Sequence, residues 1–408
     1  KTSNTTFTTN SNALTLSGST LLDIAGTQNL SGVVPDSTSI LRLTGDSTVN
    51  DSSVLSVYSL ELEDYALTLD DAMAGLSVSQ AVTLDASTEK INSGAADLTL
   101  NSGITVSAGM LSSSGGTLAA SSLSLGAAGT INIEGGTLTL PAGATAVSGA
   151  TFTTSATTIQ LGGNLNLADS WSSTTTNLSL TADAELSSTS AVEAATLETK
   201  GFNFYLDSAT TDLTISDGLT INASEGQNTG VGTGNADLTL NGPLTVLSGG
   251  ISSSGGTLTF GPASGATSFA ENTGMQLSDT ELVLQTNINL NYLKLTGTSS
   301  IQTNTKTLSP VNLEIGTDNE LDLTNAVNSD TGIDLAGDST ITTSGDLLVK
   351  YISLGGFSLT LNPAITSLTA ENIWIPNDYA SDRPNYMGSN GKFLAQGVPV
   401  TLNKSLWL

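Results

Sequence analysis

Aspartate and glutamate are the side chains in this sequence that are numerous enough to do acid–base or metal chemistry. The chain of 408 residues holds 37 of them against 10 lysines and arginines, and it has no histidine and no cysteine. Without imidazole or thiolate groups, zinc and copper lack their usual ligands. A metal would have to be a hard ion, such as calcium, held by oxygen atoms.

A calcium site is the metal hypothesis that the spacing of these carboxylates supports. The stretch "NSDTGIDLAGDST" places Asp330, Asp334 and Asp338 at four-residue intervals. Neither the EF-hand loop nor the glycine-rich nonapeptide calcium repeat has this spacing. The pattern therefore favours solvated carboxylates at turns, with calcium as the alternative, and no cofactor is expected.

Paired carboxylates also raise the question of polysaccharide cleavage. A glycoside hydrolase needs two carboxyl groups roughly 5 to 9.5 Å apart, which adjacent turns of a repeat protein could supply. The candidate pairs are Asp64 with Asp70, Asp330 with Asp334, and Asp318 with Asp322. These aspartates stand beside Gly, Asn and Thr, where Asp typically accepts backbone hydrogen bonds, and the basic residues that a lyase needs are few and scattered. The sequence therefore predicts a protein without catalytic residues, with a hydrolase or lyase as the remote alternative.

The charge balance bears on partners and location. A net charge of −27 repels nucleic acid phosphates and anionic membranes, so no nucleic acid partner is expected. No run of 18 apolar residues occurs, so no insertion into a membrane is expected. The first residue, Lys1, fits a processed secreted chain, or equally a chain trimmed at its start, and an extracellular or cell-surface location is the expectation.

A repeat of about 20 residues organises most of the chain. Pairs of the form Leu-x-Leu recur throughout, and through the middle of the sequence successive anchors are 19 to 22 residues apart. These anchors are Leu98, Leu118, Leu138, Ile159, Leu178, Leu197, Leu219, Leu238 and Leu258. A fixed period of this length is typical of a solenoid.

Longer copies extend the repeat over residues 13–365, the predicted body. The stretch "ADLTLNSGITVSAGMLSSSGGTL" (96–118) and its copy "ADLTLNGPLTVLSGGISSSGGTL" (236–258) are identical at 16 of 23 positions. Residues 45–118 are related as a whole to 182–258, with three residues gained in the second copy around "EGQNTGVGTG", and 337–361 are related to 45–69. Insertions in a solenoid belong in loops, so the copying is expected to have duplicated turns of the fold.

The pattern within each repeat is that of strands. Apolar residues alternate with small polar ones over three or four positions, and clusters of Gly, Ser and Asn then turn the chain. The sequence predicts an all-β, right-handed parallel β-helix (β-solenoid) with about 20 residues per turn, Leu and Ile inside, and Ser, Thr and Asn hydrogen-bonding along the outside. Recurring aromatic residues are expected to stack inside it: Tyr58, Tyr65, Phe202, Phe204, Tyr205 and Phe357.

The two ends of the sequence differ from the body. Residues 1–12 are predicted to form an N-terminal cap, and residues 366–408, which are richer in aromatic residues and proline, a C-terminal cap or docking segment. The last eleven residues, "VPVTLNKSLWL", alternate like a strand added to the body. The predicted docking residues are Phe7, Trp374, Tyr379, Tyr386, Phe393, Val398, Val400, Leu402 and Trp407.

The Leu-Thr-Leu repeats, the Gly-Gly-Thr-Leu turns and the low charge density resemble those of bacterial extracellular β-helix proteins, such as filamentous haemagglutinins and autotransporter passenger domains. The resemblance implies secretion and a role at the cell surface in adhesion, matrix or fibre formation. We expect a non-catalytic structural protein whose copies join head to tail through their terminal segments into an extracellular fibre, or decorate one. The alternative is a monomeric adhesin that binds glycan or a surface.

Overall fold

The computed structural model describes residues 14–16, 19–35, 38–169, 171–223, 230–264, 267–316, 319–375 and 391–407. The chain forms an all-β parallel β-solenoid of about 16 turns with about 21 residues per turn, which confirms the predicted fold class. Over the described ranges there is no helix that is long and apolar enough to cross a membrane. The chain divides into two compact units, Lys1–Glu198 and Thr199–Leu408.

Twenty-two strands belong to the first unit. They are β1 (Leu14–Thr15), β2 (Leu21–Asn29), β3 (Val33–Val34), β4 (Ile40–Asn50), β5 (Val54–Val57), β6 (Ser59–Glu61), β7 (Ala66–Leu69), β8 (Gly75–Val78), β9 (Val82–Leu84), β10 (Lys90–Asn92), β11 (Asp97–Leu100), β12 (Ile104–Ser113), β13 (Thr117–Ala120), β14 (Leu123–Glu134), β15 (Thr137–Leu140), β16 (Ala144–Ala146), β17 (Thr151–Ser155), β18 (Thr158–Leu161), β19 (Leu165–Leu167), β20 (Trp171–Leu180), β21 (Ala184–Ser188) and β22 (Val192–Glu198).

Twenty-one strands belong to the second unit. They are β23 (Phe204–Leu206), β24 (Asp212–Asn222), β25 (Gly230–Gly232), β26 (Asp237–Leu240), β27 (Leu244–Ser248), β28 (Gly250–Ser253), β29 (Thr257–Phe260), β30 (Ser268–Phe269), β31 (Gly274–Ser278), β32 (Glu281–Leu284), β33 (Ile288–Thr296), β34 (Ser300–Gln302), β35 (Leu308–Ile315), β36 (Asn319–Asp322), β37 (Gly332–Leu335), β38 (Ser339–Thr342), β39 (Asp346–Ser353), β40 (Leu359–Leu361), β41 (Ser367–Trp374), β42 (Phe393–Leu394) and β43 (Val400–Trp407).

The repeat anchors of the first unit lie directly above one another in a parallel sheet. One column of register neighbours runs through Leu98, Leu118, Leu138, Ile159, Leu178 and Leu197. All six side chains are buried. The period in the sequence is therefore the stacking of one buried position on its equivalent in the next turn, since a turn can bury its apolar face only against its neighbours.

The anchor Leu219 was assigned to the wrong column. The register neighbour of Leu238 is Leu213, whereas Leu219 lies beside Leu244. The turn from Leu213 to Leu238 is longer than those around it because it contains the residues that the second copy gained. Both "LTI" triplets of this region, at Leu213 and Leu219, belong to the one strand β24, so spacing alone could not identify the stacking residue.

Polar side chains on the outside bond from turn to turn, as predicted. The Thr139 hydroxyl donates to Gln160 Oε1 at 3.1 Å, and the Thr196 hydroxyl donates to Asn177 Oδ1 at 2.7 Å. Each pair joins register neighbours on adjacent turns. Outward Thr, Asn and Gln residues therefore contribute to the stacking, which explains the low charge density of the chain.

Two equivalent aspartates accept backbone hydrogen bonds from the next turn of the solenoid. Oδ1 of Asp97 accepts a hydrogen bond from the Thr117 backbone N–H at 2.7 Å. Its counterpart in the second copy, Asp237, accepts one from the Thr257 N–H at the same distance. Asp97 and Asp237 are the first residues of β11 and β26, so each carboxylate links the start of its strand to the next turn of the solenoid.

The expected internal aromatic stack was largely wrong. Phe204 is fully buried, but Tyr58, Tyr65 and Tyr205 are exposed. Tyr205 lies over the outer side of Gly232, its register neighbour on the next turn. Phe202 and Phe357 are half-buried. Leu and Ile fill the narrow interior, so one of the six recurring aromatic residues lies inside it and three lie exposed on the outside.

Candidate functional site

The last described turn of the second unit, here called the C-terminal turn, consists of β42, β43 and residues 395–399 between them. Strand β42 pairs with β40, and β43 pairs in parallel with β41. In the second pairing Leu368 is the neighbour of Val400, and Ala370 is the neighbour of Leu402. The alternation at Val400 and Leu402 therefore does mark an added strand, as the sequence predicted. Strand β41 itself begins at Ser367, so solenoid pairing continues into the segment 366–408.

On the C-terminal turn, apolar side chains are exposed at positions whose register neighbours on the preceding turn are buried. Leu368 and Ile373 are 0% and 1% exposed, whereas their neighbours on the C-terminal turn, Val400 and Leu406, are 38% and 49% exposed. Every earlier member of these columns is covered by the turn that follows it. In the part of the chain that the structure describes, no turn covers Val400 and Leu406.

The outer edge of β43 carries backbone groups without a described strand beside it. On the inner edge, the Leu368 N–H donates to the Pro399 carbonyl and the Ile375 N–H donates to the Trp407 carbonyl, both at 2.8 Å. Alternate residues of a parallel strand bond to opposite neighbours, so the remaining N–H and C=O groups of β43 face away from β41. Such a row is a template for another strand.

Side-chain bonds hold β43 against β41. Lys404 Nζ lies 2.6 Å from Glu371 Oε2, and the Ser405 hydroxyl donates to Asn372 Oδ1 at 3.1 Å. The ion pair is largely exposed and contributes little stability. Together with the backbone pairing, these contacts define the position of the edge.

The predicted docking residues are distributed unevenly. Trp374 and Trp407 are register neighbours and are 39% and 60% exposed. Phe393 and Leu402 are half-buried, and Val398 is buried beside a turn in which its N–H donates to the Ala395 carbonyl. Phe7, Tyr379 and Tyr386 lie outside the described residues. The structure therefore makes Trp374 and Trp407 neighbours at one end of the β41–β43 pair, and it places Val400 and Leu402 near the other end of β43.

A second candidate site, here called the aromatic–carboxylate face, lies on the outside of the same sheet. It is formed by Tyr292, Lys294, Asn312, Glu314, Asp334, Tyr351 and Trp374. These residues occupy two outward columns on strands β33, β35, β37, β39 and β41. One column contains Tyr292, Asn312, Gly332 and Tyr351, and the other contains Lys294, Glu314, Asp334, Ser353 and Trp374.

One end of the aromatic–carboxylate face is organised around Glu314. Lys294 Nζ lies 2.7 Å from Glu314 Oε1, and the Tyr292 hydroxyl donates to Glu314 Oε2 at 2.5 Å. Burial of the phenol, followed by the hydrogen bond and the negative charge of Glu314, raises the pKa of Tyr292 well above its ordinary value. The phenol therefore stays protonated and keeps donating to the carboxylate.

The other end is organised around Tyr351. The Tyr351 hydroxyl lies 3.1 Å from both Asp334 Oδ2 and Asn312 Oδ1, and its single proton goes to one of these acceptors at a time. Burial first, and then the charge of Asp334 and the hydrogen bond to it, raise the pKa of Tyr351 to about 12. The ring also contacts the Trp374 ring, with centroids 5.1 Å apart and planes inclined by 35°.

Gly332 makes room for the Tyr351 ring. A Cβ atom at this position would lie 2.2 Å from two ring carbons of Tyr351, which is far closer than atoms can approach. The missing side chain therefore lets the phenol lie across Gly332 and reach Asn312, two turns away. A smooth surface with fixed aromatic and polar groups results.

The predicted metal residues do not converge. Asp330 lies exposed at a turn, and Asp334 Oδ2 accepts a hydrogen bond from the Tyr351 hydroxyl. Asp338 Oδ1 accepts a hydrogen bond from the Ser358 N–H at 2.7 Å. Among the residues that the structure describes, no group of three or more acidic side chains could hold a metal ion.

The carboxylates considered for hydrolysis lie in different local structures: Asp64, Asp70 and Asp330 at or beside turns, Asp322 and Asp334 in β36 and β37, and Asp318 outside the described ranges. Asp70 Oδ1 accepts the Ala72 N–H at 2.9 Å, and Asp322 Oδ1 accepts the Thr324 N–H at 2.9 Å. Asp64 adopts a positive φ of 69° at a turn, and Asp318 is not among the described residues. Sequence reasoning missed that Glu314 and Asp334 are register neighbours on adjacent turns. Their signal was the recurring pattern "NYLKL", "VNLEI", "TGIDL", "KYISL" and "ENIWI", in which Leu or Ile recurs in the third position at intervals of about 20 residues.

Comparisons of the chain with protein-family models, with curated proteins and with solved structures give no match.

Proposed function

We propose that this protein is a non-catalytic, extracellular structural protein whose copies join end to end through the C-terminal turn. The observation that carries the proposal is the exposure of Val400 and Leu406, which continue columns that are buried elsewhere in the second unit. The location rests on the resemblance to bacterial extracellular β-helix proteins.

A turn of a second copy can supply the backbone hydrogen bonds and the apolar contacts that the C-terminal turn lacks. The outer edge of β43 needs a strand that supplies N–H and C=O groups and an apolar side chain at alternate positions. Strands of the described turns have that pattern, and a turn that docks must also keep one strand edge free. Parallel pairing continues the solenoid and gives head-to-tail assembly, whereas a two-fold dimer would pair β43 with β43 in an antiparallel arrangement and stop there.

Side-chain burial adds to the backbone pairing. Complete burial of a Leu or Val side chain stabilises by about 1.5–3 kcal/mol. Leu406 and Val400 have already buried part of their surface, so covering the rest should contribute on the order of half that amount each. Association also has an entropic cost of several kcal/mol, so the strand pairing and the apolar contact must act together.

The test is sedimentation velocity over a concentration series, followed by electron microscopy of the assembled fraction. Wild-type protein should form particles longer than one copy, and Leu406→Asp should remain monomeric because it places a charge in the proposed interface. The matched control is Val311→Asp, which changes an equally exposed apolar side chain on the strand β35.

Three results would overturn the proposal. They are a wild-type protein that stays monomeric at all concentrations, a Leu406→Asp variant that assembles as the wild type does, and assembly that stops at dimers. A folded, monomeric wild type would favour the alternative of a cell-surface adhesin.

A further inference from the structure

We propose that the aromatic–carboxylate face binds a neutral polysaccharide. The face borders the C-terminal turn at Trp374, the register neighbour of Trp407, and polysaccharide binding there goes beyond the proposed assembly. The inference rests on four properties of the face: the chemistry of its side chains, its rigidity, its charge, and the spacing of its columns.

The side chains of the face match a ligand that has both apolar and hydroxyl surfaces. Trp374 keeps 39% of its surface exposed while its ring contacts Tyr351, and so it offers an aromatic surface for the C–H face of a sugar ring. Glu314 and Asp334 can accept hydrogen bonds, Lys294 can donate them, and Asn312 can do both. Sugar hydroxyls are both donors and acceptors, so they can use this mixture.

The face is held in place before any ligand binds. Glu314 is fixed by Lys294 and Tyr292, and Tyr351 is fixed by Gly332 beneath it and by the Trp374 ring beside it. Ordering a free side chain on binding costs about 0.5–1.5 kcal/mol, and these groups avoid most of that cost. Pre-organised aromatic and polar groups are typical of ligand-binding surfaces.

Charge favours a neutral polymer over an acidic one. Within the face, the Lys294 ammonium pairs with the Glu314 carboxylate, and the Asp334 carboxylate accepts a hydrogen bond from the Tyr351 hydroxyl. The chain as a whole carries a net charge of −27. Uronate and sulfated polysaccharides would be repelled by this field.

The geometry of the columns favours a chain over a single sugar. Equivalent residues on adjacent strands of a sheet are about 4.8 Å apart, which is comparable to the length of one sugar ring. A linear polysaccharide lying along the two columns would meet a polar or aromatic side chain at each turn from Tyr292 to Trp374. Several modest contacts in a row would then produce the affinity.

The test is affinity electrophoresis in native gels that contain a soluble β-1,4-glucan, a galactomannan or, as the acidic polymer, polygalacturonate. The assays use Leu406→Asp protein, so that assembly does not affect migration. At least one neutral polysaccharide should retard the protein, and polygalacturonate should not. Trp374→Ala should weaken the retardation about tenfold, and Trp374→Phe should weaken it less because a ring remains.

Tyr351→Phe and Tyr205→Phe form a matched pair. Both replace the hydroxyl of a tyrosine that lies over a glycine of the next or preceding turn, but Tyr351 belongs to the aromatic–carboxylate face and Tyr205 does not. We expect weaker binding for Tyr351→Phe alone. The proposal would be overturned if no neutral polysaccharide retards the protein, if polygalacturonate alone does so, or if folded Trp374→Ala and Tyr351→Phe proteins bind as well as the parent. Because every protein compared in these assays carries Leu406→Asp, the differences between them report on binding and do not bear on the proposed assembly.

Discussion

Ile352 and Leu406 belong to the same interior column, and truncating them should have very different effects on stability. Ile373 lies between them, as the register neighbour of both. Ile352 is fully buried, so Ile352→Ala removes apolar contacts on all sides and leaves a cavity, at a cost of about 2–5 kcal/mol. Leu406 is half exposed, so Leu406→Ala loses about half of a leucine's burial, roughly 1 kcal/mol, and leaves no closed cavity.

The assay is urea unfolding followed by far-ultraviolet circular dichroism at a concentration where the protein is monomeric. Ile352→Val, which should cost about 0.5–1.5 kcal/mol, gives a second reading if Ile352→Ala does not fold. An equal loss of stability for Leu406→Ala and Ile352→Ala would refute the reasoning, because Leu406 would then have to be buried in the monomer.

Three further predictions concern the turns and the tyrosines. Asp97→Ala should lower the free energy of unfolding by about 1 kcal/mol in urea, and Asp97→Asn by less, because the amide oxygen can still accept the Thr117 N–H. The Thr298 N–H, and then the Thr298 and Ser278 hydroxyls, donate hydrogen bonds to Asp279 and lower its pKa below the ordinary value of 3.8. The contribution of Asp279 to the free energy of unfolding should therefore be complete above pH 3.8 and should disappear as the pH falls through the lowered pKa. Thermal midpoints of Asp279→Asn should therefore depend less on acid pH than those of the wild type. Because burial and Asp334 raise the pKa of Tyr351 to about 12, its phenol should ionise late in an alkaline absorbance titration, and Gly332→Ala, which displaces the ring, should make that ionisation earlier.

The fold could be predicted because the stacking of a solenoid requires buried apolar residues to recur in the sequence at the length of one turn. Each buried leucine must lie over an apolar residue of the next turn, so the columns through Leu98 and Leu118 repeat with the length of a turn. The register failed at Leu219, since β24 is long enough to present two similar triplets and periodicity does not distinguish them.

The calcium hypothesis shows that regular spacing of aspartates in the sequence does not predict which carboxylates lie close together in the structure. Asp334 lies within strand β37, whereas Asp330 and Asp338 lie at the turns on either side of it. Four residues of extended chain span roughly 13 Å, which is too far for carboxylates to share one ion. Carboxylates on adjacent turns can come closer, as the register neighbours Glu314 and Asp334 do, although 20 residues separate them in the sequence.

The aromatic–carboxylate face was missed for a related reason. Its residues are of different types from turn to turn, since outward positions need not repeat the residue above them. Only the apolar residues between them, such as Leu293, Leu313 and Ile333, repeat.

The C-terminal strand was easier to predict because the alternation of apolar and polar residues lies within the strand itself. The exposure of Leu406, by contrast, follows from the structure, in which Leu406 continues the buried column of Ile373.

Amide hydrogen exchange of β43, measured in dilute monomer and in assembled protein, tests the proposed end-to-end docking most directly. The account predicts that β43 amides directed away from β41 exchange quickly in the monomer and become protected on assembly, because a strand of a second copy accepts their hydrogen bonds. Unchanged exchange along β43 in assembled protein, with new protection elsewhere on the chain, would contradict docking at the C-terminal turn.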